Sequence, residues 1–319
     1  MTEFKLVIAT DLLDKSEWAL ERGAMLARSL RAETTLMHVV SSELADRDTK
    51  QRINDAHMKL RERAANQRWG SESLPRSLVQ TGVPGRVIAD TIREEIGANL
   101  LVLGPHQTRG ARDRMAAAIG TTIAARALAT RACPVLIAQE QPRHRYRRVL
   151  LALDLSSNAG SAVRAAEALV LSDEADVSVL HALDALYLGV VEHRDAGRGM
   201  SPRHRKHWES SATVRVRALL RSASSDFMRY GIQIEDSPPA QAILHAMNQQ
   251  QPDLLVMGTS GRGPFGRALL GSVANEVLRE AWCDTLVVPQ GSFALESLPQ
   301  NVVANLRLAG SYPRRNRWH

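Results

Sequence analysis

The sequence predicts an α/β protein built from two open, doubly wound parallel sheets of five strands each, with helices on both faces. Three observations carry this prediction. The chain of 319 residues is about twice the length of one average domain. It is 44% hydrophobic and only 4% aromatic, a composition that favours aliphatic packing of helices on sheets. The same order of apolar segments also occurs twice. We therefore expect domains at 1–140 and 146–290 and a basic tail at 291–319.

The first strand and the helix after it are recognisable in both halves. Residues 4–11 and 147–154 are apolar runs that end in Asp11 and Asp154. Each is followed by a helical pattern, which reaches about position 30 in the first half and about position 171 in the second. Asp14 and Glu17 have the spacing of a capping box in the first half. In the second half, the capping residues are Ser156, Ser157 and Asn158.

The remaining elements follow in the same order in both halves. Short apolar runs bounded by turns and alternating with helical patterns indicate parallel strands covered on both faces. Second strands are predicted at 34–40 and 177–183, long helices at 49–67 and 203–230, and third strands at 77–80 and 232–235. Further helices begin near Pro84 and Pro239. Fourth strands are predicted at 99–104 and 253–258, and last strands at 133–138 and 283–288.

Charge and targeting signals restrict the functional class. The formal net charge is +7, and arginines cluster at 143–148, 203–206 and 314–317. Such clusters attract nucleic acid or acidic surfaces, although solvated loops in an arginine-rich protein explain them as well. Only two cysteines occur, Cys133 and Cys283, and neither a signal peptide nor a membrane span of about 20 apolar residues is apparent. We expect a cytoplasmic protein without a membrane partner.

The second half carries a glycine-rich segment where an open α/β sheet binds its ligands, after a strand. Gly258 and Gly261 permit close backbone approach, while Gly271 and Ser272 place N–H groups and a hydroxyl at the start of a helix. This pattern suits a phosphate, but a flexible loop also contains glycines. It is not a Walker A loop, because the second half lacks the Gly-Lys-Ser/Thr signature.

The spacing Gly258-x2-Gly261-x9-Gly271-Ser272 resembles the ATP-binding motif of the universal stress proteins. Strands ending at Asp154 and near His181, together with the last strand, follow in the order of that family. The resemblance covers about residues 4–138 and 147–289 and implies a tandem universal stress protein. It also implies ATP as ligand, with or without magnesium. Asp154 and Ala182 would line the adenosine pocket, and ribose and phosphates would contact Gly258, Gly261, Gly271, Ser272 and the N–H of Val273.

The first half departs from this motif. Gly104 and Gly120 are sixteen positions apart, against thirteen for Gly258 and Gly271, and glutamine replaces the second glycine. The later part of the motif persists, as do the adenosine positions: Gly110, Gly120, Thr121, Asp11 and Val39. A working site with a longer loop and a site that has lost phosphate binding both fit this pattern, and we favour the second.

Other polar residues are assigned structural roles. His38 and His181 occupy one repeat position near the end of a strand, and a hydrogen-bonded structural histidine is favoured over a metal ligand. Cys133 and Cys283 share another repeat position and are expected to be small buried hydrophobes. Asp11 and Asp154 lack a second acid or a positioned nucleophile, so we assign no catalytic residue and no metal site.

The sequence favours an ATP-binding stress-response or regulatory protein with little or no turnover. Its partners are then an adenine nucleotide and a protein that reads the bound state. The alternative is a nucleotide-independent module that binds nucleic acid or an acidic partner through its arginine clusters, with nucleic acid the less favoured ligand. By analogy with the family, the two halves are expected to pair through their last strands about a pseudo-twofold axis. Association of two chains into a homodimer is left open.

Overall fold

The computed structural model describes most of both halves. The described residues are 3–41, 49–69, 74–105, 123–124, 127–128, 133–156, 159–170, 175–183, 202–224, 227–259 and 271–289. The predicted tail at 291–319 lies outside them.

The first half alternates strands and helices as predicted. Its elements are β1 (Lys5–Ala9), α1 (Glu17–Leu30), β2 (Glu33–Val40), α2 (Thr49–Ala65), β3 (Arg76–Thr81), α3 (Pro84–Asp90), β4 (Leu100–Leu103) and β5 (Val135–Ile137). A π-helical turn, Thr91–Ile96, continues α3. The four central strands form because nearly all their side chains are apolar and buried, which only a sheet covered on both faces permits.

The second half repeats this order. Its elements are β6 (Arg148–Ala152), α4 (Ala159–Val170), β7 (Asp176–Ala182), α5 (Pro202–Ala223), β8 (Gly231–Glu235), α6 (Pro239–Gln250), β9 (Leu254–Gly258), α7 (Ser272–Glu280) and β10 (Asp284–Val288). Proline is the first residue of α3 and of α6, as predicted, because the first N–H of a helix has no intrahelical acceptor.

The two five-stranded sheets join into one sheet of ten strands. The strand order is β3-β2-β1-β4-β5-β10-β9-β6-β7-β8. Strands within each half are parallel, whereas β5 and β10 are antiparallel, with Leu136 opposite Leu286. The halves are thus related by a pseudo-twofold axis between β5 and β10. The carboxyl ends of their strands consequently lie at opposite edges of the sheet.

Helices cover both faces and bury a core on each. One core lies beneath α1, α2, α4 and α5, and includes Leu60, Leu136 and Val216. The other lies beneath α3, α6 and α7, and includes Val135 and Val287. Each core contains residues of both halves, so the joint between the sheets is continuous with the interior of each domain.

Two sequence predictions about helices are wrong. No capping box forms at Asp14 and Glu17, because the Glu17 carboxylate is paired with Arg63 at 2.8 Å instead. Asp14 starts a short 3-10 turn, and no side-chain hydrogen bond caps either that turn or α1. The helix predicted at 203–230 ends at Ala223. There, Ser224 and Tyr230 hydrogen-bond to one carboxylate oxygen of Glu167 and turn the chain toward β8.

A buried cluster of polar side chains holds the two halves together. The Asp284 carboxylate, at the start of β10, accepts hydrogen bonds from Arg22 Nε and Tyr146 Oη, each at 2.7 Å. Its other oxygen accepts the backbone N–H of Gln139 at 2.8 Å. Arg22 lies in α1 of the first half, and its guanidinium carbon is 4.1 Å from the centre of the Tyr146 ring. The residues between the halves are therefore bound to both.

The electrostatics of this cluster keep Arg22 charged and the Tyr146 hydroxyl protonated. Burial and the neighbouring Asp284 carboxylate raise the pKa of Tyr146, so the phenol keeps the proton that it donates. Burial lowers the pKa of Arg22, but the opposing contributions of Tyr146 and Asp284 leave it above its ordinary value. An ion pair of this kind is costly to break, because one buried charge remains without its partner.

No helix among the described residues is long and apolar enough to span a membrane.

Replacing Asp284 tests the joint between the halves. We expect Asp284→Ala to lower the free energy of unfolding by about 3–5 kcal/mol, because Arg22 and Tyr146 lose their common acceptor. Urea denaturation followed by circular dichroism measures this change. The exposed Asp176 at the start of β7 provides the control, and Asp176→Ala should change the free energy by less than about 0.5 kcal/mol. Equal effects of the two substitutions would contradict a special role for Asp284.

Candidate functional site

The structure brings most of the predicted second-half residues to one edge of the sheet. Asp154 follows β6, Ala182 ends β7, Gly258 ends β9 and Ser272 begins α7. Ala152, the last residue of β6, is paired with Leu180 on one side and Met257 on the other. The chain segments that leave these strands are therefore neighbours. Gly261 lies outside the described residues, so its position relative to this edge stays a prediction.

Asp154 has one carboxylate oxygen that the described residues leave without a partner. Its Oδ1 accepts the backbone N–H of Ser156 at 3.0 Å, which fixes the side chain at the turn after β6. Its Oδ2 is buried and accepts no hydrogen bond within the described part of the chain. Because a buried carboxylate oxygen without a donor is costly, this atom indicates a missing N–H or O–H group.

The glycine-rich segment is closed at its base by two backbone hydrogen bonds. Thr259 donates its N–H to the carbonyl of Val288, at the end of β10, and accepts the N–H of Gly271, both at 3.1 Å. A Cβ atom on Gly271 would lie only 2.7 Å from the Thr259 oxygen. Gly271 is therefore required by this close approach, a role that the motif spacing alone does not reveal.

The N-terminus of α7 has the properties of an anion site. Gly271 precedes the helix in an extended conformation and, as a glycine, has no side chain that could cap the first turn. That turn contains no acidic residue, and Ser272 is exposed. The first N–H groups of a helix have no intrahelical acceptors, and its dipole favours negative charge. Ser272 and Val273 can therefore offer N–H groups, and Ser272 a hydroxyl, to a phosphate.

The corresponding residues of the first half are arranged differently. Asp11 Oδ1 accepts the N–H of Leu13 at 2.9 Å, as Asp154 does with Ser156, but Asp11 is exposed. A Cβ atom on Gly104 would meet the Cα of Ser16 at 3.2 Å, so the turn after β1 packs close to this glycine. Val39 is buried in the core. Gly110, Gly120 and Thr121 lie outside the described residues.

Proline weakens the base of the first-half segment. Pro105 occupies the repeat position of Thr259. Because proline has no backbone N–H, it cannot form the hydrogen bond that Thr259 gives to Val288. The first half therefore lacks one of the two bonds that close the glycine-rich segment of the second half.

Arg63 fixes the turn after β1, and the sequence analysis missed it. Its guanidinium donates to the carbonyl of Leu12 at 2.9 Å and to Ser16 Oγ at 3.2 Å, in addition to its ion pair with Glu17. By the repeat of buried positions in α2 and α5, its counterpart is Leu219, an apolar residue packed against the core. Arginine in a helix carries no signal of such a contact, because the partners lie about 50 residues away.

The comparisons with known proteins agree with this architecture. The model of the Universal stress protein family matches residues 4–139 and 145–289. The chain belongs to the universal stress protein family. One curated relative, "Universal stress protein in QAH/OAS sulfhydrylase 3'region" of Thermus aquaticus, is 32% identical over 145 residues. The alignment covers 98% of that protein and 45% of this chain, as expected when one domain matches one half of a tandem.

Solved structures of similar length show the same fold. A universal stress protein from Archaeoglobus fulgidus has a TM-score of 0.56 and 17% identity, and the superposition covers 90% of this chain and 98% of that one. A putative universal stress protein from Pseudomonas aeruginosa has a TM-score of 0.51 and 17% identity, with 98% of both chains covered. These identities support the fold of this universal stress protein and carry no functional detail.

The two repeated histidines of this universal stress protein are structural, as predicted. His38 Nδ1 lies 2.8 Å from the carbonyl of Thr10, and His181 Nδ1 lies 2.7 Å from the carbonyl of Leu153. Each ring thus ties the end of a second strand to the end of a first strand. Burial lowers the pKa of His38.

The repeated cysteines are buried thiols, also as predicted. Cys133 and Cys283 are unpaired and buried, and burial raises the pKa of Cys133 to about 12. At neutral pH, Cys133 is therefore a thiol rather than a nucleophilic thiolate. Among the described residues, no group of three or more histidine, cysteine, aspartate or glutamate side chains could hold a metal ion.

Alanine substitutions at Gly271 and Gly258, the two ends of the glycine-rich segment, test whether Gly271 is the more closely packed of the two. We expect Gly271→Ala to lower the free energy of unfolding by about 1–3 kcal/mol, because the new methyl group collides with the Thr259 carbonyl. A Cβ on Gly258 would meet only the Val288 oxygen, at 3.9 Å, among the described residues. Gly258→Ala should therefore change stability by less than about 1 kcal/mol. Thermal and urea denaturation of both variants measure the difference. A larger loss of stability in Gly258→Ala than in Gly271→Ala would refute the close contact between Gly271 and Thr259.

The lowered pKa of His38 predicts a pH dependence of stability. The unfolded chain takes up a proton at higher pH than the folded chain does, so the free energy of unfolding should fall as the pH drops below about 6.5. His38→Asn can keep a donor toward Thr10 but does not titrate, and should reduce this fall. Urea denaturation at a series of pH values measures it. Unchanged pH dependence in the variant would show that other groups are responsible.

Proposed function

We propose that the second half of this universal stress protein binds an adenine nucleotide, ATP with or without magnesium, and that the protein regulates a stress response with little or no turnover. The observation that carries this proposal is the buried Oδ2 of Asp154, which has no donor among the described residues. It lies at the same sheet edge as the N-terminus of α7, where the N-cap residue is a glycine without a capping side chain. A ligand with N–H or O–H donors at one end and phosphates at the other matches both features.

The residues present fit such a ligand. Asp154 can accept a hydrogen bond from the adenosine moiety, with Ala182 lining the same pocket. Among the described residues only the Val288 oxygen comes near Gly258, at the end of β9, and Ser272 and Val273 offer donors to phosphate oxygens. Gly271 shapes the segment by its contact with Thr259. Gly261 would complete the ribose and phosphate contacts.

The chemistry of these residues supports binding rather than turnover. Backbone N–H groups and a hydroxyl stabilise negative charge, but hydrolysis also needs a group that orients or deprotonates water. The one carboxylate assigned here, Asp154, serves the adenosine end. Bound nucleotide then acts by mass action, stabilising whichever conformation or assembly holds it. A protein partner that distinguishes the bound form would complete the regulation.

The proposal assigns the nucleotide to the second half and not to the first. Three features support this asymmetry: the exposed Asp11, the close packing of Ser16 on Gly104, and proline at position 105. We also propose a cytoplasmic location, supported by the two unpaired cysteines. A different universal stress protein has been solved in complex with cAMP. The proposal for this chain rests on its own residues.

Matched substitutions in the two halves test the proposal. We expect titration calorimetry with ATP to give one site per chain. Asp154→Ala should weaken binding by about 10- to 100-fold, since a hydrogen bond to a charged group contributes about 1.5–3 kcal/mol. Asp11→Ala removes the equivalent carboxylate and the same type of turn bond, so it serves as the control and should leave the affinity unchanged.

Two results would contradict the proposal. One is the absence of both heat and a thermal shift with wild-type protein at millimolar ATP. The other is an equal loss of affinity in the Asp11 and Asp154 variants, which would show that the carboxylates act through folding. Phosphate release measured in the same samples should not exceed that of the Asp154→Ala variant.

A further inference from the structure

Four exposed arginines lie in the segment that joins the two halves. Arg143, Arg145, Arg147 and Arg148, which we call the linker arginine surface, are all exposed. Tyr146, in their midst, is buried. None of the four side chains forms an ion pair with another residue in the part of the chain that the structure describes. Four arginines within six residues therefore concentrate positive charge in this segment, offset in part by the Asp253 carboxylate that binds its backbone.

The backbone that carries these arginines is firmly fixed. The carbonyl of His144 accepts a hydrogen bond from Arg22 at 3.0 Å, and Tyr146 donates to Asp284. The Asp253 carboxylate accepts the N–H groups of Arg147 and Arg148, at 2.9 and 3.0 Å. Because the main chain is already ordered, binding through these side chains costs less entropy than binding through a flexible segment.

The topology separates this surface from the proposed nucleotide site. The linker runs from the end of β5 to the start of β6, along the edge that holds the carboxyl ends of the first-half strands. The antiparallel pairing of β5 and β10 puts Asp154 and the N-terminus of α7 at the opposite edge. The two surfaces can therefore be occupied independently.

The composition of the surface identifies the kind of partner. Protein interfaces depend on buried aromatic or aliphatic anchors. The large hydrophobic side chains that are exposed in the described residues lie elsewhere, and none falls in 139–148. Guanidinium groups bind phosphates through paired hydrogen bonds, and a phosphate backbone needs no apolar contact. No exposed phenylalanine, tyrosine or tryptophan falls in 139–148 either, and His144 is the one exposed ring there, so strong recognition of individual bases is not expected.

We propose that the linker arginine surface binds the phosphate backbone of a nucleic acid, independently of its base sequence. This inference does not rest on nucleotide binding by the second half. The contact is electrostatic, so its affinity falls with salt. For four phosphate contacts on a single strand, the logarithm of the binding constant should change with the logarithm of salt concentration with a slope of about −3.

The test uses the full chain and a fluorescent thymidine oligodeoxynucleotide of about 20 residues. Fluorescence anisotropy across a salt series gives the affinity and the slope. We expect Arg143, Arg145, Arg147 and Arg148, all changed to Gln, to weaken binding at least 10-fold and to move the slope toward zero. An oligomer of mixed sequence should bind as tightly as thymidine, because no base is read.

A second quadruple variant controls for net charge. Arg61, Arg76, Arg215 and Arg217 are exposed arginines on helices and an edge strand, and changing all four to Gln removes the same charge elsewhere. This variant should keep at least half of the wild-type affinity. Equal losses in the two variants, or no binding by the wild type at low salt, would overturn the proposal. Tighter binding of polyglutamate than of the oligonucleotide would also overturn it, in favour of an acidic protein.

The last comparison asks whether oligonucleotide binding depends on the proposed nucleotide site. Because the surfaces lie at opposite edges, Asp154→Ala should bind the oligonucleotide like the wild type, whereas ATP, itself a polyphosphate, should compete equally in both proteins. Weaker oligonucleotide binding by Asp154→Ala would place the oligonucleotide at the second-half site and refute the linker surface. Failure of ATP to bind leaves the salt series and the arginine variants as independent measurements.

Discussion

The hydrogen bonds of one buried carboxylate, Asp284, hold the architecture together. Asp284 begins β10, the strand that joins the two sheets, and it binds Arg22 of the first half and Tyr146 of the linker. The repeat position in the first half is Pro134, so this contact is made by one half only. It fixes the antiparallel joint, and the joint decides which sheet edge each set of loops occupies. The separation between the candidate nucleotide site and the linker arginine surface follows from it.

The two halves share a fold but use equivalent positions differently. Thr259 closes the second-half segment through its N–H, whereas Pro105 has none to give. Arg63 binds the turn after β1, whereas its counterpart Leu219 packs against the core. The first-half turn is therefore held by polar contacts close to Gly104, whereas in the described part of the second half only the Val288 oxygen comes near Gly258. Repetition supplies the scaffold, and a few substitutions make the two candidate sites different.

The sequence predicted all ten strands. The eight inner strands are short apolar runs, which are buried wherever helices cover both faces of a sheet, whereas the edge strands β3 and β8 are more polar and only half-buried. Prediction from the sequence was less reliable for the contacts of polar side chains that have more than one available partner. Asp14 and Glu17 have the spacing of a capping box, yet Glu17 pairs with Arg63. The Arg22–Asp284 pair joins residues 262 positions apart, and no local pattern reports such a contact. The glycine spacing located the candidate site, but only the structure relates Gly271 to the Thr259 carbonyl.

Strand β10 connects the joint to the candidate site. Asp284 begins this five-residue strand and binds the first half, while Val288 ends it and accepts the N–H of Thr259 at the base of the glycine-rich segment. The strand lies in the middle of the ten-stranded sheet, paired on both sides, so its two ends cannot shift independently without breaking ladder hydrogen bonds. The base of the glycine-rich segment therefore depends on the contact between Asp284 and Arg22 at the opposite edge of the sheet. A tandem chain gains this support from covalent linkage, since its first half is always present to supply Arg22.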